Sequence, residues 1–311
     1  MLVEVIDKAY RQQFPKSPHP YISEQFIEQI KSKADRVVRL MKESGKVSIG
    51  LIAGIKDEVL LSPFSAPFGG FHFRHDNVLT NEIEQFIMRL TDYASSHKIK
   101  KIKLTLPPDI YHHSFNAKVS NALMRNGFSM EVPEITNWVD LKHFKGEFTY
   151  RKVRQNYNRS LNCNLSFHIV QEINEKEIAF QIVHENREKV GRHIYMTFSD
   201  LLRVSELWPV DFFQVENNHN EVVAAAIFYR GHKKIVQAIF WGDNDQGRSC
   251  RAMDFLSYKL WNHYKGFGYS IIDLGISSFN GIPNNGLIRF KEDHNCISAL
   301  RLSFNWDCES H

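Results

Sequence analysis

The order of elements repeats. A helical stripe at 81–97, with Ile83, Phe86, Ile87, Leu90 and Tyr93–Ala94 on one face, leads into a strand pattern at 100–106 that is ended by Pro107-Pro108. A short helix at 116–126, the turn Gly127-Phe128 and an extended run through Trp138–Leu141 follow. The same sequence of parts returns about 170 residues later: helix 252–265, strand 270–275, short helix 284–293, the turn Asn295-Cys296 and a strand from Ala299 to Asn305. One repeat of this length describes a tandem pair of domains and not a solenoid. Each half is fronted by a hairpin pattern, 47–55 with 58–61 around Lys56-Asp57, and 222–230 with 234–241 around Gly231-His232-Lys233. Hairpin, helix, strand, helix, strand is a mixed α/β order, α+β-like in that antiparallel neighbours dominate. The expected architecture is two domains, 1–145 and 146–311, each a mixed, mostly antiparallel sheet flanked by helices.

The bulk numbers agree with two packed cores. The chain has 311 residues, 43% hydrophobic and 24% charged, which suits a globular protein and excludes a disordered one. No apolar run reaches the roughly 18 residues of a membrane span, and Met1–Lys8 lacks the layout of a signal peptide. A cytoplasmic protein without membrane insertion is therefore expected. Cys163, Cys250, Cys296 and Cys308 form no C-x-x-C pair, and no histidines stand in a ligand-spaced pair, so no metal is expected. A net charge of +4 permits an anionic small molecule but falls short of a general nucleic-acid footprint.

Three segments resemble the GNAT acyltransferases, and in particular the tandem-GNAT branch that includes the FemABX peptidoglycan-bridge ligases. The basic helix Tyr150–Leu161 is similar to the one that opens the second domain of those proteins. Residues 252–275 look like their helix-plus-strand core, and Gly286–Lys291 resembles their terminal Phe-Lys motif. The resemblance implies an enzyme that transfers an acyl group, acetyl above all, from acyl-CoA to a small-molecule amine, with the donor on the second domain and a degenerate first domain. It also implies two alternatives: a Fem-type transferase that uses aminoacyl-tRNA, or a binding protein that retains the fold without catalysis.

The candidate residues follow. The loop before the second long helix, Gln246-Gly247-Arg248-Ser249-Cys250-Arg251, with Trp241 at the end of the preceding strand, is the expected cofactor-binding segment. A loop with glycine and arginine opening a helix offers backbone N–H groups and a positive dipole end to phosphate; the alternative is an ordinary polar turn. By resemblance, Phe290 lines the acyl and acceptor site, and Lys291 is catalytic, its cation stabilising the oxyanion formed when an amine attacks the acyl carbon; the alternative for Lys291 is a lysine on the exposed side of a short helix, beside Glu292 and Asp293. Asp273, mid-strand, either faces the site as a catalytic group or is a hydrogen-bonded structural carboxylate. Phe68 in the loop Pro63–Phe71, and Arg192 and Tyr195 in Gly191–Met196, are expected to hold the acceptor, or else to pack as connections. The basic residues of 150–161 either dock a nucleotide-bearing substrate or form a solvated face.

Overall fold

The computed structural model describes residues 1–43, 45 and 47–308. They form two compact units, one of Met1–Ile135, Asn280–Ile282 and 299–308, the other of Thr136–Phe279 and Pro283–Ser298.

The first unit is built on the strands Leu2–Glu4, Arg36–Lys42, Ile49–Lys56, Val59–Ser62, Lys101–Thr105, Ser303–Asp307 and Ser129–Met130 in that spatial order, with Phe71–Phe73 also paired to Ile49–Lys56. All pairings described are antiparallel except Val59–Ser62 with Lys101–Thr105. The expected hairpin turn is present, with Asp57 and Glu58 both at positive φ, the geometry whose twist matches that of the flanking strands. Ile83, Phe86, Ile87 and Leu90 of the helix Thr80–Ser96 are fully or almost fully buried against strand residues such as Leu51, Ile102 and Leu104. The short helix expected from 116 starts earlier, at Asp109, directly after Pro108, whose fixed φ suits a helix entry.

In the second unit the spatial order is Cys296–Arg301, Glu134–Asp140, Ile271–Ile276, Ile235–Asp243, Val222–Tyr229, Val210–Glu216, Ser166–Val170. Only Ile235–Asp243 with Ile271–Ile276 is parallel among the pairings described. The long helix Ala252–Gly266 makes the crossover between those two strands, burying Phe255, Leu256, Leu260, Trp261 and Tyr264. Such a crossover is what a parallel pair requires. The architecture is therefore mixed α/β with two mostly antiparallel sheets.

The strand that closes each half in sequence does not lie in its own half's sheet. Glu134–Asp140 stands in the second sheet, and Ser303–Asp307 stands in the first, beside Lys101–Thr105. Periodicity identifies these strands but says nothing of their partners, because the alternation of faces is the same whichever sheet receives them.

Candidate functional site

The parallel pair at the centre of the second sheet is short. Its register runs from Ile235↔Ile271 to Gln237↔Asp273 and stops, although the first strand continues to Asp243 and the second to Ile276. On its other side, Ile271–Ile276 loses register with Glu134–Asp140 between Asp273 and Ile276. Gly275, at φ +66, sits in this gap. The strand therefore splays from its neighbours just past Asp273, and backbone groups there need partners from elsewhere.

Lys291 supplies them. Its Nζ donates to the carbonyls of Leu274 at 2.9 Å, Gly275 at 3.0 Å and Ile276 at 3.4 Å. The side chain is 1% exposed, and burial pushes its pKa down to about 7. Asp273 is also buried; its carboxylate accepts from Gln237 Nε2 at 3.1 Å and from the Gly275 amide at 2.9 Å. Both residues expected to be catalytic are thus tied into the opening's framework. Lys291 spends its N–H groups on the strand, and Asp273 braces the last paired rung and the bulge after it.

The turn that follows Ile235–Asp243 is built in a compact way. Asn244 Oδ1 accepts from the Gly247 amide at 2.9 Å and caps the short helix Asp245–Ser249. Gly247 is needed for space: a Cβ there would meet the Val223 carbonyl oxygen at 2.2 Å. Arg251 then adopts a left-handed conformation, φ 59, as the residue that opens Ala252–Gly266, and no side chain caps that helix. A non-glycine residue in this region is strained, and such strain gathers at binding sites.

A cavity of about 410 Å³ lies at this helix start. Arg248, Arg251, Met253 and Asp254 line it from the turn and the helix, and Gly286, Arg289, Phe290, Asp293 and His294 from the helix Asn285–Asp293 and its end. Lys152, Val153 and Asn156 of the helix Arg151–Leu161 complete it, together with Asp243. Two of its cations are matched: Arg289 pairs with Asp293 at 2.9 Å, and Arg248 stands 3.7 Å from Asp243 and 3.8 Å from Asp245. Burial raises the Asp243 carboxyl, an effect Arg248 partly offsets. Lys152 and Arg251 form no ion pair among the described residues. Lys152 also opposes the dipole of its own helix, whose first turn holds no acid. At the cavity wall, buried His294 turns Nδ1 to the Phe290 carbonyl at 2.6 Å and Nε2 toward Asp254 Oδ1 at 3.2 Å, and Asn156 Nδ2 donates to that same carboxylate oxygen at 3.3 Å.

The helix Asn285–Asp293 joins the two features. Phe290 faces the cavity and packs on Trp241 with ring centroids 5.7 Å apart, while the next residue, Lys291, reaches into the strand opening.

The expected cofactor segment is divided by the fold. Arg248 and Arg251 line the cavity, as does Phe290. Gln246, Ser249 and Cys250 line a different one, of about 300 Å³. Gly247 is buried beneath the strand Val222–Tyr229, and Trp241 belongs to the core, against Trp261 and Phe290. Phe68 is 1% exposed in the first unit, its ring packed on His19, Tyr21 and Tyr111, and the following glycine is forced by the close approach of Ser62 and Pro63. Tyr195 is 91% exposed, and Arg192 lies just past the helix Ile173–Lys189, its amide bonded to the Arg187 carbonyl at 2.8 Å. The cavity residues that sequence reasoning passed over are Asn156, Asp254, Asp293 and His294, while Lys152 was read only within a basic helix. The one signal for them was the run of polar residues on helix faces otherwise committed to the core.

Among the described residues no group of three or more His, Cys, Asp or Glu is placed to hold a metal, and no helix is long and apolar enough to cross a membrane. No family model and no curated protein matches the chain. Solved structures do. FemX superposes with a TM-score of 0.69 at 11% identity, covering 100% of this chain and 98% of its own. L-PGS from Bacillus licheniformis gives 0.59 at 13%, covering 96% and 89%. A tandem GNAT protein from the clavulanic acid biosynthesis pathway gives 0.53 at 9%, covering 99% and 98%. At these identities the likeness is one of fold, and it spans the whole chain: this is a tandem GNAT fold with the architecture found in FemX.

Proposed function

We propose that the chain is an N-acyltransferase whose second unit binds a phosphate-bearing acyl donor, acyl-CoA, and passes the acyl group to a small-molecule amine. The observation that carries this reading is the cavity at the strained, uncapped start of Ala252–Gly266, lined by Arg251 and Lys152, which form no ion pair among the described residues. Two free cations and a helix N-terminus suit a pyrophosphate. The donor's phosphates would sit there, and its acyl end would follow Phe290 toward the strand opening.

In that opening, backbone groups of Ile235–Asp243 beyond Gln237 no longer pair with Ile271–Ile276, so N–H groups are available to an oxyanion. The amine nitrogen attacks the acyl carbon, the carbon–sulfur bond breaks, and the thiol leaves with a proton from the amine. In this scheme Lys291 positions the splayed strand and does not itself meet the oxyanion, since its donors are already engaged. The acceptor is proposed to be an amine on an amino sugar or cell-envelope precursor, with Arg192 and Tyr195 on its path, in a cytoplasmic setting.

The test is a calorimetric titration of the intact chain with acetyl-CoA at moderate salt, beside Arg251→Ala. Micromolar binding that weakens about tenfold or more in the variant supports the donor site, as expected for loss of one charge-assisted contact. Absence of binding would overturn the choice of donor. The likeness to FemX favours one second reading, an aminoacyl-tRNA donor; binding of charged tRNA by a protein silent toward acetyl-CoA would establish it.

A further inference from the structure

The smaller cavity of the second unit brings together two thiols. It is lined by Gln246, Ser249 and Cys250 of the turn and by Asn162, Cys163 and Asn164, which follow the helix Arg151–Leu161. Both cysteines are half-buried, and so reachable from the cavity they both line. The neighbouring Cys250 side chain, with some help from burial, holds the Cys163 thiol above its ordinary pKa. The elements joined are two that wall the larger cavity: the helix bearing Lys152 and Asn156, and the turn bearing Arg248 and Arg251.

We propose that Cys163 and Cys250 are a redox modification site, forming a reversible disulfide that ties the end of one helix to this turn. With a peroxide as the oxidant, one of the two sulfurs attacks one peroxide oxygen, the O–O bond breaks, and a sulfenic acid and water result. The other sulfur then displaces the hydroxyl, which leaves as a second water as the S–S bond forms. Two thiols give up two electrons and two protons, and hydrogen peroxide becomes two waters. A dithiol reductant reverses the bond by exchange. The other cysteines are internal controls: Cys296 is buried, and burial holds its thiol far above the ordinary range, while Cys308 lies in the first unit.

The experiment oxidises the purified chain with stoichiometric hydrogen peroxide, alkylates the remaining thiols, digests without reductant and maps the peptides by mass spectrometry. Loss of two of the four thiols, a single cross-linked peptide joining Cys163 to Cys250, and full recovery with dithiothreitol are expected. Thermal melting should rise on oxidation by on the order of 5–10 °C in the parent chain and not in Cys163→Ser, because a long loop is closed. The proposal is overturned if both thiols remain alkylatable, if either runs on to sulfinic acid without cross-linking, or if the link joins another cysteine or a second chain. None of these readouts depends on what the larger cavity binds.

Discussion

Replacing Lys291 by methionine tests how the strand opening is held. Met fills a similar volume but cannot donate, so three carbonyls at 274–276 lose their shared partner. Orphaned buried acceptors cost about 1–3 kcal/mol each, and partial relaxation puts the whole loss at about 2–4 kcal/mol. The pH dependence is more discriminating. Burial holds Lys291 at about 7 in the folded chain, against an ordinary 10.5. Between those values the unfolded chain binds the proton and the folded chain does not, so unfolding grows less favourable as pH rises. Below pH 7 both states are protonated and the folded one carries the full cost of a buried ammonium. From pH 7 to pH 9 the parent chain is therefore expected to gain about 2–3 kcal/mol over Lys291→Met, at 1.36 kcal/mol per unit. Guanidinium denaturation followed by tryptophan fluorescence reads this well, because Trp138, Trp208, Trp241 and Trp261 all belong to the second unit. A gap that stays constant to within about 0.5 kcal/mol from pH 6 to pH 9 would refute the reasoning. It would mean that three carbonyls facing three N–H groups hold the ammonium more strongly than burial opposes it.

Arg251→Gly relieves the left-handed strain and removes a free cation together; denaturation should show a gain of about 0.5–1 kcal/mol while calorimetry shows donor binding at least about tenfold weaker. Gly247→Ala drives a methyl into the Val223 carbonyl oxygen, 2.2 Å from the added carbon, and is expected to cost about 2–3 kcal/mol in the same denaturation assay. His72, buried between Tyr10 and Ser17, is held by burial at about 3 against an ordinary 6.5. The unfolded chain therefore takes up its proton first as pH falls, and from pH 6.5 to pH 5 the parent chain should lose about 2 kcal/mol relative to His72→Phe in paired denaturation curves.

The fold was legible where local physics decides it. The stripe Ile83, Phe86, Ile87, Leu90 gave the first long helix to within a residue, and the matching pattern over 252–265 gave the second, because an amphipathic face must be buried whatever surrounds it. Pro107-Pro108 marked the end of Lys101–Thr105, since a proline has no N–H for a ladder. Strand partners were not legible. Glu134–Asp140 and Ser303–Asp307 alternate like any half-buried strands, and their sheets are set by long-range pairing that leaves no local trace. The same limit applied to Lys291. Its neighbours Glu292 and Asp293 suggest a solvated helix end, yet the side chain is buried, because it answers carbonyls opened by a splay some 15 residues earlier.

At the cavity, the structure gathers two of the arginines singled out in the sequence but does not keep their contiguous loop together. Gln246 through Arg251 are contiguous, and a phosphate loop read from sequence treats them as one surface; the short helix Asp245–Ser249 turns successive side chains about 100° apart, so Gln246 and Ser249, three apart, face the smaller cavity with Cys250 while Arg248 faces the larger, which Arg251 lines from beyond the helix end. Asp254 and His294 were invisible for the opposite reason, being 40 residues apart and meaningful only when brought to 3.2 Å. The cations that mattered were those that break a local rule. Arg251 occupies a left-handed position that glycine fills at less cost, and Lys152 sits at the wrong end of a helix dipole. Neither choice helps the fold. The proposed donor site accounts for a chain that keeps both at one cavity with no acid to pair them among the described residues, and on that reading their joint loss should leave a more stable protein that no longer binds an anion.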